Sequence, residues 1–149
     1  DVENKGIETN LSFSTNIKKI GIKGSTNYAY TKSTNLKAKN EFDNSLDKQL
    51  IYVPYHKLSS SLFVQFKSIN LIYTYNYTGQ RFMTTDNEWY LPANFISDIS
   101  ISKKIKIADT WVISASFKMK NMLDQDYQSI AWRPMPGRNY LIALTFRLK

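Results

Sequence analysis

His56 is the single histidine in a chain of 149 residues, and Ser59, Ser60 and Ser61 follow it closely. A histidine base beside a serine hydroxyl is the arrangement hydrolases use. Here the sequence offers proximity but no third residue to orient the base. No catalytic residue is assigned, and the plainer expectation puts His56 at the outer end of a strand. Asp43, Asp47, Asp124 and Asp126 carry oxygen ligands of the kind calcium takes. Their spacing matches no calcium loop, so solvated loop carboxylates account for them. One His and no Cys argue against a transition-metal site and exclude disulfides. There is no glycine-rich phosphate loop, and neither a metal nor a cofactor is expected. Gln80, Arg81, Trp89, Trp132 and Arg133 suit a different chemistry. Large rings and guanidinium groups are enriched where binding energy concentrates, and these five fall in polar connections. They are the ligand-binding candidates. The bland alternative makes Trp89 and Trp132 part of an interfacial aromatic belt.

The elements that would hold these residues are strands. Period-two alternation dominates the chain. Ile7, Thr9, Leu11 and Phe13 alternate with Glu8, Asn10, Ser12 and Ser14. After a break at Asn16-Ile17-Lys18, Ile20, Ile22, Tyr28 and Tyr30 oppose Gly21, Lys23, Ser25 and Asn27. A third strand sets Leu58, Ser60, Leu62, Val64 and Phe66 against Lys57, Ser59, Ser61 and Gln65. A fourth sets Leu71, Tyr73, Tyr75 and Tyr77 against Ile72, Thr74, Asn76 and Thr78. The fifth offers Phe95, Ile99 and Ile101, followed by a basic turn around Lys103, Lys104 and Lys106. The sixth offers Trp111, Ile113, Ala115, Phe117 and Met119. The seventh offers Tyr140, Ile142, Leu144, Phe146 and Leu148. Connections alternate between short and long, the long ones being roughly residues 32–49, 79–93 and 121–137. No helical period competes.

Composition narrows the class. The 10 Tyr and 8 Phe favour pleated, half-buried surfaces. No apolar run approaches the roughly 20 residues of a spanning helix, whereas a barrel strand needs only about 9–11. The net charge of +8 is compatible with nucleic acid, an anionic surface or an acidic partner. The lysines fall mainly at turns and on the polar faces, which suits a polar barrel interior better than a nucleic-acid stripe, so no nucleic acid is expected. Tyr28, Tyr30 and Tyr77 sit near the outer strand ends; Phe66, Trp111 and Phe146 sit near the inner ends. Both are levels where membrane barrels carry aromatic girdles. The expected fold is therefore all-β: an antiparallel transmembrane β-barrel with long connections outside. A soluble β-sandwich, its apolar face inward, shares the alternation; the loop asymmetry and the aromatic faces favour the membrane.

The last thirty residues sharpen this. Lys120-Asn121-Met122-Leu123-Asp124-Gln125-Asp126-Tyr127 resembles the asparagine–leucine–phenylalanine–aspartate…tyrosine segment of TonB-dependent transporters. Pro134-Met135-Pro136-Gly137-Arg138 resembles the proline–glycine–arginine element before that family's final strand. The stretch from Tyr140 to Leu148 resembles the strand itself. Asn121, Leu123, Asp124, Tyr127, Pro136, Gly137, Arg138 and Phe146 are the matching positions, read as structural. Asn121 and Asp124 are expected to organise the loop base through bonds to backbone. Arg138 is expected at the outer headgroup level. Met122 and the non-aromatic terminus after Phe146 depart from the usual pattern.

The resemblance implies a barrel of about 22 strands with a plugged lumen. Residues 1–149 then form the C-terminal portion, with about seven strands, and the N-terminal plug and remaining strands lie outside this chain. It also implies TonB-driven import across the outer membrane of a Gram-negative bacterium, without covalent chemistry. The cargo would be scarce and large: cobalamin first, an iron–siderophore close behind. Expected partners are the remaining barrel and plug, TonB through the missing N-terminal region, outer-membrane lipid, and a surface lipoprotein that hands over cargo. The competing readings are a passive porin, a membrane-embedded enzyme, and a soluble β-domain binding an anionic partner.

Overall fold

The computed structural model describes residues 1–38, 40–107 and 110–148. Eleven strands are found among them: β1 (Val2–Ile17), β2 (Ile20–Asn35), β3 (His56–Phe66), β4 (Ile69–Thr78), β5 (Arg81–Phe82), β6 (Tyr90–Leu91), β7 (Asn94–Lys106), β8 (Trp111–Lys120), β9 (Gln128–Ile130), β10 (Arg133–Pro134) and β11 (Asn139–Leu148). Seven form one meandering antiparallel sheet in the order β1-β2-β3-β4-β7-β8-β11. The other four make two small hairpins, β5–β6 and β9–β10, inside long connections.

The register aligns every alternating pattern. One row runs Thr9–Tyr28–Leu58–Tyr77–Phe95 across five strands. Another runs Tyr73–Ile99–Met119–Tyr140. On the opposite side runs Asn10–Asn27–Ser59–Asn76. A one-residue slip in any strand would send its whole apolar set to the polar side, so the two faces fix the pairing. Asn10 Nδ2 donates to Asn27 Oδ1, Ser59 Oγ donates to Asn76 Oδ1 at 2.8 Å, and the Ser25 and Ser61 hydroxyls meet at 2.8 Å. Side-chain pairs on the polar face thus bridge β1 to β2, β2 to β3 and β3 to β4. This face overlooks a hollow of about 780 Å³ lined by Glu8, Asn10, Asn27, Lys57, Ser59 and Asn76.

The apolar face has nothing over it. Leu91 is the only buried hydrophobic residue among those described, whereas Leu11, Ile142 and Phe146 are 70%, 74% and 63% exposed. A contiguous apolar surface of this extent needs a cover. Two of the polar groups on this side pair with each other, Thr26 Oγ1 and Ser60 Oγ lying 3.0 Å apart, whereas the Ser97 hydroxyl is buried opposite Tyr75 without a partner. Gly24 sits under the ring of Phe13, its partner across the strands.

Two short connections begin with non-glycine residues in left-handed backbone, Lys18 (φ 54) and Lys67 (φ 52). The long connections, residues 36–55, 79–93 and 121–138, all open at the opposite edge of the sheet. Several boundaries differ from the sequence reading. Asn16 and Ile17, expected in a break, close the β1 ladder against Gly21 and Ile20, and β4 begins at Ile69. Strand β2 continues to Asn35, because β1 pairs with it as far as Val2 and residues 47–50 fold back on its other side: Asn35 N donates to Lys48 O and Leu50 N to Ser33 O. Lys103, Lys104 and Lys106 lie within β7 instead of forming a turn, paired with Ala115, Ser114 and Val112. All three are exposed, so charge does not interrupt the ladder.

Candidate functional site

The long connections form a tied layer. Gln49, only 3% exposed, is its first knot. Its Oε1 accepts from Ser33 N at 2.8 Å, and its Nε2 donates to Thr31 O and Val53 O. Asn87, in left-handed backbone, closes a reciprocal pair with it. Gln49 N donates to Asn87 Oδ1 and Asn87 Nδ2 donates to Gln49 O, both at 2.9 Å. Tyr52 N donates to Phe82 O at 2.8 Å, so the first two loops share backbone as well as side-chain bonds. Asp86 accepts from the Thr84 hydroxyl and from Glu88 N, and these bonds hold its carboxyl below the usual range.

Arg81 is the second knot. Its Nη2 donates to Gln128 O at 3.0 Å and its Nη1 to Ser129 O at 3.4 Å, joining the second loop to the third. Burial lowers the guanidinium pKa, while neighbouring Tyr52 acts the other way. The third knot is Asn121, 3% exposed. Its Oδ1 accepts from Gln125 N at 2.9 Å, and its Nδ2 donates to Gln125 O and Pro136 O. Asp124 Oδ1 accepts from Arg138 N at 2.6 Å. Gln125 Oε1 accepts from Phe95 N, tying this loop to the start of β7.

The sequence-derived positions sort accordingly. Asn121 and Asp124 organise the loop base through bonds to backbone. A Cβ at residue 137 would lie 2.9 Å from Asp124 Oδ1. Glycine is therefore suited to Gly137 by space; its φ is not positive. Tyr127 O accepts from Met135 N. Pro134 belongs to the short β10 ladder, at a register irregularity, and Pro136 precedes β11. Leu123 is exposed, as is Phe146 on the apolar face. Among the binding candidates, Gln80 and Arg133 are exposed, and Trp89 and Trp132 are 66% and 89% exposed. Arg81 instead lies inside the layer, 7% exposed. Its bonds bring it to the loop that carries Trp132 and Arg133; among the described residues no hydrogen bond or ring contact joins Trp89 to those two.

His56 Nδ1 and the Tyr28 hydroxyl are 2.9 Å apart, and its ring also meets Tyr30. Ser59, Ser60 and Ser61 are bonded to Asn76, Thr26 and Ser25. The histidine thus belongs to an aromatic cluster at the outer rim. No group of three or more His, Cys, Asp or Glu placed to hold a metal occurs among the described residues. Sequence reasoning did not single out Gln49, Asn87 and Gln128, which carry much of the loop layer. Only Asn87 left a signal, since asparagine tolerates left-handed backbone.

Residues 1–122 match the family model described as "TonB dependent receptor-like, beta-barrel". The chain belongs to the TonB-dependent receptor β-barrel family. That match lies almost wholly upstream of the motif-bearing segment, so the early hairpins and the closing residues point to the same family from separate parts of the chain. Solved structures agree on the TonB-dependent receptor fold. The ferric preacinetobactin receptor BauA of Acinetobacter baumannii aligns at TM-score 0.71 and 18% identity, covering 97% of this chain and 22% of that one. The siderophore receptor PiuA of the same organism aligns at TM-score 0.72 and 15% identity, covering 99% and 22%. The ferric citrate transporter FecA aligns at TM-score 0.71 and 14% identity, covering 86% and 21%. The chain thus spans about a fifth of each of these proteins. No curated protein sequence matches the chain. The seven-stranded sheet is a segment of a TonB-dependent receptor barrel, left open because it holds a fraction of the strands.

Proposed function

We propose that this chain is the C-terminal part of the barrel of a TonB-dependent importer in the outer membrane of a Gram-negative bacterium. The family match over residues 1–122, on a sheet whose apolar face lacks any cover, carries this reading. The remaining strands and a plug complete the transporter, and TonB engages it through a region outside this chain. The protein binds and moves cargo and makes no covalent bond to it. Lipid covers the apolar face, and a surface lipoprotein delivering cargo would meet the outer loops.

An iron chelate comes first as cargo, ahead of cobalamin. The similar structures are named for ferric preacinetobactin, ferric citrate and siderophore, and those names favour iron. Trp132 and Arg133 suit such a ligand, which presents apolar surface together with carboxylates or amides.

Uptake by cells carrying the full-length transporter tests the reading. Radio-iron supplied as ferric citrate or a ferric siderophore should enter only when both the transporter and TonB are present, with cyanocobalamin uptake unaffected. Trp132→Ala and Arg133→Ala should each weaken apparent affinity about tenfold while the barrel still assembles. Transporter-dependent cyanocobalamin uptake would reverse the cargo, and uptake indifferent to TonB would remove the import reading.

A further inference from the structure

Arg81 is a buried charge with no carboxylate to balance it. It is 7% exposed, it forms no ion pair among the described residues, and its Nε is buried without a partner. A buried charge is costly unless paired or fully hydrogen-bonded. Among the described residues its hydrogen bonds go to two successive backbone carbonyls, those of Gln128 and Ser129, with neighbouring Tyr52 also favouring the charge. These belong to β9, the first arm of the hairpin that turns through Ala131 and Trp132, where Ile130 pairs with Arg133. Gln128 extends the connection, because its Oε1 accepts from Trp132 N at 2.8 Å. Gln128 is therefore held through its carbonyl and itself holds Trp132 through its side chain. Trp132 needs holding: its φ is 64, an unfavourable setting for a bulky residue, and its ring is 89% exposed. Two costs, a buried cation and a strained turn, end in one result, a large ring presented outward.

We infer that Arg81 is a positioning residue that fixes the β9–β10 hairpin so that Trp132 and Arg133 meet the cargo, and that it does not itself touch the cargo. This rests on the receptor reading above. It also explains why the residue is arginine. A planar fork spans two neighbouring carbonyls, whereas the ammonium of lysine is a point charge.

No cysteine of this chain competes for a label, and with any cysteine elsewhere in the full-length transporter replaced by serine the test is direct. A nitroxide is attached at Trp132→Cys and, separately, at Phe42→Cys, which is in another loop and 90% exposed. Spin-label spectra are compared with Arg81 intact and with Arg81→Gln. The expected result is a severalfold rise in the mobile fraction at residue 132, no change at 42, and reduced uptake of ferric citrate. Gln128→Ala should free the 132 label with Arg81 intact, and Arg81→Lys should free it partly. These two variants carry the test if Arg81→Gln fails to assemble. An unchanged 132 spectrum in an assembled Arg81→Gln barrel overturns the inference and leaves the receptor reading standing. Equal loosening at 42 and 132 overturns it too, because Arg81 would then be a general scaffold residue. Failure of the wild type to take up any ferric complex or cyanocobalamin would sink the receptor reading, and with it the purpose assigned to Arg81; the spectra, which need no cargo, separate the two failures.

Discussion

The strand wall and the loop layer above it are held together by different physics. In the wall, backbone ladders satisfy the polar groups and the side chains sort by alternation alone. In the layer, side chains substitute for the missing ladder: Gln49, Asn87, Arg81, Asn121 and Asp124 each bond backbone groups that no neighbouring strand reaches. The wall tolerates many substitutions that keep polarity, because its information is repeated in every strand. The layer concentrates its information in a few buried polar residues, each with named partners. Mutations should therefore act by face in the wall and by individual bond in the layer.

The sharpest way to break this comparison is a charge on each face of β4. Tyr75 lies in the apolar set, stacked against Phe95 at a centroid distance of 6.3 Å. Thr74, its neighbour in the chain, faces the polar side opposite Asp98. Tyr75→Arg should cost roughly 2–4 kcal/mol of folding stability in the full barrel, the depth-dependent penalty of a cation in lipid. Thr74→Arg should cost much less, with a carboxylate opposite. Equilibrium unfolding of the full-length protein from lipid vesicles measures both, and equal losses would mean that the apolar face does not meet hydrocarbon.

This contrast also explains what could be read in advance. The faces and register were legible, because period two repeats along Leu71, Tyr73, Tyr75 and Tyr77 and along every other wall strand. The ends were not. β2 reaches Asn35 because Val2 to Lys5 of β1 pair with its end on one side and residues 47–50 return to bond it on the other, contacts that no local pattern announces. Lys103 to Lys106 looked like a turn from charge alone. Asn121 and Asp124 were legible through the family motif. Arg81 drew notice as a binding candidate, but its direction depends on where β9 lies, and strand-forming preference carries no such information.

A smaller effect, local and not global, should appear at Asn121. Asn121→Ala strands Gln125 N and leaves the carbonyls of Gln125 and Pro136 without its amide. Buried groups left unsatisfied cost about 1–3 kcal/mol. Hydrogen exchange should therefore show lost protection at Gln125 and Arg138 amides, with the β3–β4 ladder unchanged. Loss of protection throughout the wall would show that layer and wall unfold as one unit, contrary to the division drawn above.

The smallest effect tests the wall's own local chemistry. A Cβ on Gly24 would come within 2.2 Å of the Phe13 ring, so the ring must swing aside in Gly24→Ala. The colliding atoms are the far end of a side chain on the outward face, which can move at about 0.5–1.5 kcal/mol if the ring leaves its preferred rotamer. Against this, Gly24 has no positive φ, so alanine fits its backbone and should gain about 0.4–1 kcal/mol by restricting the unfolded chain. The two terms nearly cancel, and Gly24→Ala alone should shift stability by less than about 1 kcal/mol in either direction. In a Phe13→Ala background the clash is gone and only the gain remains, so the same change should stabilise the barrel. The cycle of single and double variants, read by unfolding from vesicles, isolates this coupling. A coupling of zero would mean that the Phe13 ring does not lie over Gly24 in lipid and that nothing there covers the exposed backbone.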